Sequence, residues 1–380
     1  MVALLAPSAG AQGGSVCSTP TDIVAVPDEA LARGIRDTLG LSDAEPISCA
    51  DMATLETFEA DRAGIEDLSG LEAAINLTRL DLRYNRISDL EPLADLQSLN
   101  RLDLFDNQIV DVSRLSDLPR LGWLGLRRNQ ITDLAPLVNL PRLYFLDLRS
   151  NLLEEISALE AATNLRFLYL DGNQIADIEA LAGLTRLEEL YLRNGQIADI
   201  DPLEGLRSLN RLRLGGNEIT SAEPLRGLTA LRILDLERNL ISDITALEGL
   251  DALEELDLSY SALDDFSPLG ALHSLTKLDL EATTLLSLAE LATLTHLREL
   301  DFSRNAVVDL TPLAGLSELQ RLTLSRNEVR DVTPLAKLPA LETLVIDHNC
   351  LATNEGNASA LAAMAVAGID ITSEPQSNCG

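Results

Sequence analysis

The sequence predicts an α/β fold: a right-handed solenoid, or horseshoe, with a parallel β-sheet on its concave side and irregular or 3₁₀ segments on its convex side. Three observations predict it. A 22-residue pattern recurs without insertion through most of the 380-residue chain. Leucines alternate with polar residues at the start of each repeat, as in a strand with one buried face. Hydrophobic residues make up 46% of the chain but aromatic residues only 3%, so the core must be aliphatic.

Each repeat reads L-x-x-L-x-L-x-x-N-x-I-x-D-L-x-P-L-x-x-L, as residues 77–96 show in full. We expect Leu80 and Leu82 to point inward from a short strand. Asn85 follows the strand, and its amide can bond backbone groups of the turn that would otherwise be buried without partners. Asp89 can accept turn N–H groups, and Pro92 suits a 3₁₀ return on the convex side.

We name the asparagine slot the ladder position, because stacked asparagines predict a continuous row of hydrogen bonds. The ladder positions are Asn85, Asn107, Asn129, Asn151, Asn173, Gly195, Asn217, Asn239, Ser261, Thr283, Asn305, Asn327 and Asn349. Ser261 and Thr283 keep a hydroxyl that can hydrogen-bond, whereas Gly195 relies on Asn194 turning inward. The Thr283 repeat also lacks the usual Asp and Pro, so we expect local irregularity there. With a degenerate unit around Ala63, about fourteen repeats fill residues 55–349.

This pattern resembles the leucine-rich repeat family in its short, 22-residue class, and within that class it is similar to secreted bacterial internalins. The regulatory subunit of protein phosphatase 1 belongs to the same class. The resemblance implies a non-enzymatic interaction module whose concave face binds a macromolecule.

Both ends of the chain lack the repeat, so residues 15–54 and 350–380 are predicted to cap the exposed ends of the core. Apolar spacing predicts a helix over 27–41, which resembles the N-terminal helical cap of internalin-type proteins. After the last repeat we expect an alanine-rich helix over 359–367 and a closing strand over 369–372.

The cysteines lie only in these caps, at Cys17, Cys49, Cys350 and Cys379. We predict one disulfide in each cap, which indicates an oxidising compartment; four free thiols in a cytosolic protein are the alternative. Residues 1–14 are apolar and small, which predicts the remnant of a signal peptide. The expected location is therefore secreted, periplasmic or at the cell surface.

Missing motifs and the net charge argue against several classes of function. A P-loop, a nucleophile elbow, H-E-x-x-H and C-x-x-C are all missing from the sequence, so we expect no enzyme, cofactor or metal. The 29 basic and 60 acidic residues give a net charge of −31, which opposes binding to nucleic acid and to anionic membranes. No apolar run predicts a membrane span. A monomer is expected.

Outward strand residues lie six, four and two places before each ladder position. In the N-terminal half they form what we name the aromatic–arginine zone, and this composition is typical of interface hot spots. Its members are Phe105, Trp123, Arg127, Phe145, Arg149, Phe167, Tyr169, Tyr191, Arg193 and Arg213. We expect a protein partner here, or alternatively a glycan stacked on the rings.

Carboxylates occupy the same columns in the C-terminal half, which we name the acidic strip. Its members are Asp235, Glu237, Asp257, Asp279, Glu281 and Asp301, with Lys277 as the expected main counter-charge. Neighbouring carboxylates repel, so their pKa values are expected to rise. A basic partner surface or divalent cations could relieve this repulsion.

These observations leave three hypotheses for the function of the whole chain. The favoured one is a secreted or cell-surface module that binds a protein on its concave face. The first alternative is a cytosolic regulatory subunit resembling the phosphatase regulator. The second is a structural or adhesive spacer, or a glycan binder.

Overall fold

The computed structural model describes residues 17–374 and 376, and one parallel β-sheet runs through almost all of them. In this part of the chain fifteen strands follow one another in sequence order, each paired with the next. The strands are β1 Thr57–Glu59, β2 Arg79–Asp81, β3 Arg101–Asp103, β4 Trp123–Gly125, β5 Phe145–Asp147, β6 Phe167–Tyr169, β7 Glu189–Tyr191, β8 Arg211–Arg213, β9 Ile233–Asp235, β10 Glu255–Asp257, β11 Lys277–Asp279, β12 Glu299–Asp301, β13 Arg321–Thr323, β14 Thr343–Val345 and β15 Asp370–Thr372. The predicted solenoid is confirmed.

Short 3₁₀ helices form the side opposite the sheet. They span Leu71–Ala73, Glu91–Leu93, Ser113–Leu115, Ala135–Asn139, Ser157–Ala161, Glu179–Leu181, Asp201–Leu203, Glu223–Leu225, Thr245–Leu247, Ser267–Ala271, Ala289–Thr293, Thr311–Gly315 and Thr333–Lys337. In most repeats a turn aspartate begins the return, as where Asp89 Oδ1 accepts from the Glu91 N–H at 2.9 Å. Leu80, Ile87 and Leu93 are fully buried between sheet and 3₁₀ helices.

The ladder asparagines join each repeat to the one before it. Asn107 Oδ1 accepts from the Ile87 N–H at 3.0 Å. Its Nδ2 donates to the Leu82 oxygen at 3.0 Å and to the Leu104 oxygen at 3.1 Å. Three backbone groups in two repeats are thereby satisfied by one buried side chain, which explains why the slot so strongly favours asparagine.

Two of the exceptional ladder positions behave differently from expectation. Asn194 remains exposed in the left-handed conformation (φ 56°), so it does not replace the missing amide at Gly195. The Ser261 hydroxyl is buried and has no hydrogen-bond partner among the described residues. A serine side chain is too short to reach the backbone groups that asparagine bonds elsewhere.

The Thr283 repeat is irregular, as its sequence indicates. The Thr283 hydroxyl donates to the Leu280 oxygen at 2.9 Å, which replaces one of the usual ladder bonds. Thr284, the residue directly after the ladder position, adopts a left-handed conformation (φ 70°). Its hydroxyl donates to the Leu263 oxygen at 3.2 Å.

The N-terminal cap contains two α-helices, α1 (Glu29–Leu39) and α2 (Cys49–Met52). Helix α1 is shorter than the predicted 27–41 because Asp28 caps its start and left-handed Gly40 ends it. Leu31 and Ile35 on its inner face are fully buried.

Asp28 also attaches this cap to the first repeat. Its Oδ1 accepts from two N–H groups of α1, and its Oδ2 accepts from Glu66 at 2.8 Å and Asp67 at 3.2 Å. Burial opposes ionisation, but these four donors outweigh it and hold the pKa of Asp28 below its usual range. A disulfide between Cys17 and Cys49 closes the same cap.

The C-terminal cap consists of helix α3 (Glu355–Val366) and strand β15. The helix begins four residues before the predicted start because Asn354 is its N-cap, accepting from the Asn357 N–H at 2.8 Å. Cys350 is disulfide-bonded. Its predicted partner Cys379 and the predicted signal-peptide remnant at 1–14 lie outside the described residues.

Candidate partner-binding face

Aromatic side chains of four consecutive strands pack into a continuous row across the concave sheet. Trp123 and Phe145 stack with ring centroids 4.5 Å apart and 13° between their planes. Phe145 meets Phe167 at 6.2 Å and meets Tyr169 edge-on at 5.4 Å; Tyr169 in turn lies 4.6 Å from Tyr191. All five are partly exposed. The row follows from the parallel register, which places Trp123, Phe145 and Phe167 side by side.

Three members of the zone lie at the margins of this row. Phe105 packs edge-on against Tyr84 at 4.7 Å, and Arg127 lies 5.3 Å from its ring. At the other margin, Arg213 lies 4.8 Å from the Tyr191 ring. The Nε of Arg127 is buried and has no hydrogen-bond partner in the described part of the chain.

Trp123 is enclosed on both faces. The Arg101 guanidinium lies 3.6 Å from its ring centroid, and Phe145 stacks from the strand on the other side. A Cβ at position 125 would come within 2.8 Å of the indole, so Gly125 permits the ring to lie against the strand. Arg101 was not predicted as a site residue, although it precedes its ladder position by the same six places as Trp123 does.

Two arginines of the zone form ion pairs with carboxylates of the same sheet. Arg149 pairs with Asp147, with 2.5 Å between Nη2 and Oδ2. Arg193 follows β7 and reaches across β8 to form an ion pair with Asp235 of β9, whose carboxylate is almost completely buried. Arg193 therefore belongs to the boundary with the acidic strip more than to the aromatic row.

Glu189, another residue that the sequence reasoning missed, holds two of the rings in place. It accepts hydrogen bonds from the Tyr169 hydroxyl at 2.8 Å and from the Tyr191 hydroxyl at 3.3 Å. Burial and then this hydrogen bond raise the pKa of Tyr169. Because both phenols are anchored, the aromatic row is a pre-arranged surface.

The acidic strip is a straight column of carboxylates. The sheet register places Asp235 beside Asp257, Asp257 beside Asp279 and Asp279 beside Asp301. Neighbours are separated by about 4.8 Å, the spacing of adjacent strands. Glu237 lies two residues beyond the column on the same face.

Burial is the first cause of the raised pKa values in the strip. It raises the pKa of Asp279 to about 7, and the carboxylates of Asp257 and Asp301 add to the effect. Burial likewise raises the pKa of Asp235, Asp301 and Glu237. The repulsion that the sequence analysis named as the cause is therefore secondary to desolvation.

The counter-charges of the strip are arginines. Lys277, the expected counter-charge, forms no ion pair within the ranges that the structure describes. Arg193 pairs with Asp235, and Arg304 pairs with Glu281 at 2.8 Å. Among the described residues no group of three His, Cys, Asp or Glu side chains is arranged to hold a metal ion. None of the described helices is long and apolar enough to cross a membrane.

Together, the sheet, the asparagine ladder and the two caps define a leucine-rich repeat protein. A family model described as "Leucine Rich repeats (2 copies)" matches residues 75–120, 119–161, 163–205 and 207–249. The chain belongs to the leucine-rich repeat family, whose members generally act as protein-interaction modules.

Several bacterial proteins of known structure are similar to this chain. An internalin, InlF, from Listeria monocytogenes is 30% identical, with a TM-score of 0.81 over 84% of this chain and 95% of that chain. Internalin C2 from the same organism is 34% identical, with a TM-score of 0.56 over 59% of this chain and all of that one. A leucine-rich repeat protein of Leptospira interrogans shares the fold at 23% identity, with a TM-score of 0.71 over 85% and 97% of the two chains. A comparison with curated protein sequences finds no match.

Proposed function

We propose that this protein is an exported, non-enzymatic module that binds a protein partner on its concave face. The observation that carries the proposal is the aromatic row from Trp123 to Tyr191, which is partly exposed, anchored by Glu189 and flanked by arginines. Large aromatics with arginine are the side chains that contribute most at protein interfaces.

The geometry favours a protein over a glycan at the Trp123 end of the row. Stacking of a sugar on an aromatic platform needs a free ring face. Both faces of Trp123 are occupied, by Arg101 on one side and Phe145 on the other. What this end of the row offers a partner is the edge of the indole and the Arg101 guanidinium, which suit the side chains and backbone of a polypeptide.

The Cys17–Cys49 disulfide supports export over the cytosolic alternative, because cytosolic reductants keep most thiols reduced. Mass spectrometry of the intact natural protein, without reducing agent, tests this part of the proposal. Protein recovered from the cytosol with Cys17 and Cys49 reduced would overturn it.

Affinity capture tests the binding face. The full chain is immobilised and exposed to surface and medium fractions of its source cells, and wild type is compared with Trp123→Ala/Phe145→Ala/Tyr169→Ala. We expect the variant to lose at least about tenfold in partner retained. Circular dichroism verifies that the array is still folded.

The matched control is Val110→Ala/Leu240→Ala/Leu286→Ala, which removes three exposed hydrophobic side chains that lie beyond the strands. It should retain the partner as wild type does. Equal retention by all three proteins would show that the partner binds elsewhere.

A further inference from the structure

A cleft of about 350 Å³ lies at the edge of the concave sheet where strands β3 to β5 begin. Trp123 and Tyr144 form its aromatic wall, and Arg101, Arg120 and Arg142 also line it. Gly122 lets the Tyr144 ring lie close to the chain, since a Cβ there would come within 3.0 Å of that ring.

The three cleft arginines form no ion pair in the part of the chain that the structure describes. Among the described residues no carboxylate oxygen lies within 4 Å of Arg101, Arg120 or Arg142, although the chain contains 60 acidic residues. Other arginines of the same repeats are paired, namely Arg114 with Glu91 at 2.5 Å and Arg128 with Asp106 at 3.5 Å. The cleft is thus a local concentration of unneutralised positive charge on a strongly acidic protein.

We propose that this cleft binds the carboxylates of an acidic segment of the protein partner, an inference that rests on the proposed function. Guanidinium groups match carboxylates with paired N–H donors, and such charge-assisted bonds are the stronger ones in proteins. The segment places its Asp or Glu side chains among Arg101, Arg120 and Arg142. Its neighbouring residues continue onto the aromatic row beside Trp123.

The charge of the rest of the molecule distinguishes a peptide from other anions. A nucleic acid or an acidic polysaccharide carries its charge along its whole length. Such a polymer would leave the cleft and meet the column that begins at Asp235, in a protein with a net charge of −31. A polypeptide can confine its carboxylates to the few residues that occupy the cleft.

Trp123 is the only tryptophan of the chain, so its fluorescence reports on the cleft. The probe is a blocked peptide of alternating Glu and Gly, titrated into the full chain at about 20 mM salt, where charge interactions are least screened. We expect saturable quenching or a spectral shift with a dissociation constant below about 1 mM. The matching Gln–Gly peptide should not bind.

The decisive variant is Arg120→Gln/Arg142→Gln, which leaves the contact between Arg101 and Trp123 in place and so preserves the optical signal. It should weaken binding of the Glu peptide at least about tenfold, because two of the three guanidinium groups are lost. The matched control Arg326→Gln/Arg330→Gln removes two exposed arginines that are also unpaired among the described residues, and it should bind as wild type does.

Three results would overturn the inference: equal binding of the Gln–Gly peptide, no loss in the cleft variant, or tighter binding of an oligogalacturonate or an oligonucleotide than of the Glu peptide. Its failure is separable from failure of the proposed function. If the captured partner is lost with the aromatic variant but kept with Arg120→Gln/Arg142→Gln, the concave face binds a protein and the cleft does not take its carboxylates.

Discussion

Replacing Asp279 by Asn should stabilise the protein at neutral and alkaline pH. Asp279 lies in the middle of the acidic strip, and burial together with its charged neighbours raises its pKa from 3.8 to about 7. Its Oδ1 accepts a hydrogen bond from the Glu281 N–H at 2.9 Å, which an asparagine oxygen can also accept. The substitution therefore removes the charge and keeps the bond.

The raised pKa of Asp279 determines how much the substitution changes the free energy of unfolding, and over which pH range. Between about pH 4 and pH 7 the unfolded chain has released the Asp279 proton while the folded chain retains it, so stability falls as the pH rises through this range. Three pKa units correspond to about 4 kcal/mol. Because Asp279 is partly exposed, solvent screening reduces this to about 2 kcal/mol at pH 8.

Urea unfolding followed by circular dichroism, at about pH 5 and pH 8, measures the effect. Asp279→Asn should gain about 2 kcal/mol at pH 8 and less than about 1 kcal/mol at pH 5. Asp243→Asn is the matched control, because Asp243 Oδ1 also accepts from the N–H two residues further on, that of Thr245, at 2.8 Å. Unlike Asp279, Asp243 has a lowered pKa, because the Thr245 side chain and then the Thr245 N–H donate hydrogen bonds to its carboxylate. That control should destabilise at pH 8. A gain for Asp279→Asn that is the same at both pH values would refute the electrostatic reasoning.

Three further predictions concern the ladder, the cap and the zone boundary. Asn129→Ala leaves three buried backbone partners unsatisfied and should cost about 3 kcal/mol in urea unfolding, whereas Gln130→Ala beside it should change little. Asp28→Ala should cost about 1–2 kcal/mol at pH 7 and less as the pH falls below 4, since the folded pKa is lowered; hydrogen exchange should show the loss in the N-terminal cap. Arg193→Met leaves the buried Asp235 carboxylate unpaired and should cost about 3 kcal/mol at pH 8, while adding Asp235→Asn should restore most of it. A double variant no more stable than Arg193→Met would contradict that assignment.

The repeat could be predicted from sequence because its constraint is local and recurs. Strands β2 to β14 each begin six residues before a ladder position, and in ten of these thirteen repeats an asparagine reaches the same three backbone groups. Ser261 shows the limit of this reasoning. Its hydroxyl is chemically able to bond, but whether it reaches a partner depends on side-chain length and on the path of the neighbouring repeat.

The caps were harder to predict because their boundaries depend on single capping side chains. Helix α1 ends at Leu39, two residues before the predicted end, because left-handed Gly40 follows it. Helix α3 starts directly after its N-cap Asn354, a residue outside the alanine-rich pattern, and Asn357 is buried there by bonds to the Val332 N–H and the Arg330 oxygen. Those partners belong to the last repeat and are invisible to any local periodicity.

The sequence predicts which residues lie on the concave face, but it does not predict which of their side chains form ion pairs. Counting back from the ladder correctly places Trp123 and Phe145 side by side. It does not reveal that Arg149 is neutralised by Asp147, since that depends on rotamers. The same counting rule misses Tyr144, whose ring lines the cleft seven places before its ladder position, just before the strand begins.

The boundary between the two zones makes the acidic strip a pH-dependent surface. Arg193 neutralises Asp235, the first carboxylate of the column, which leaves Asp257, Asp279 and Asp301 in register beyond it. With a pKa of about 7, Asp279 is only partly ionised near neutrality, and a cationic side chain placed against it favours the charged form. We predict that a basic segment bound to the strip would release a proton and bind more tightly as the pH rises from 6 to 8. Calorimetry of the partner complex in two buffers of different ionisation enthalpy measures that proton, and Asp279→Asn should abolish it.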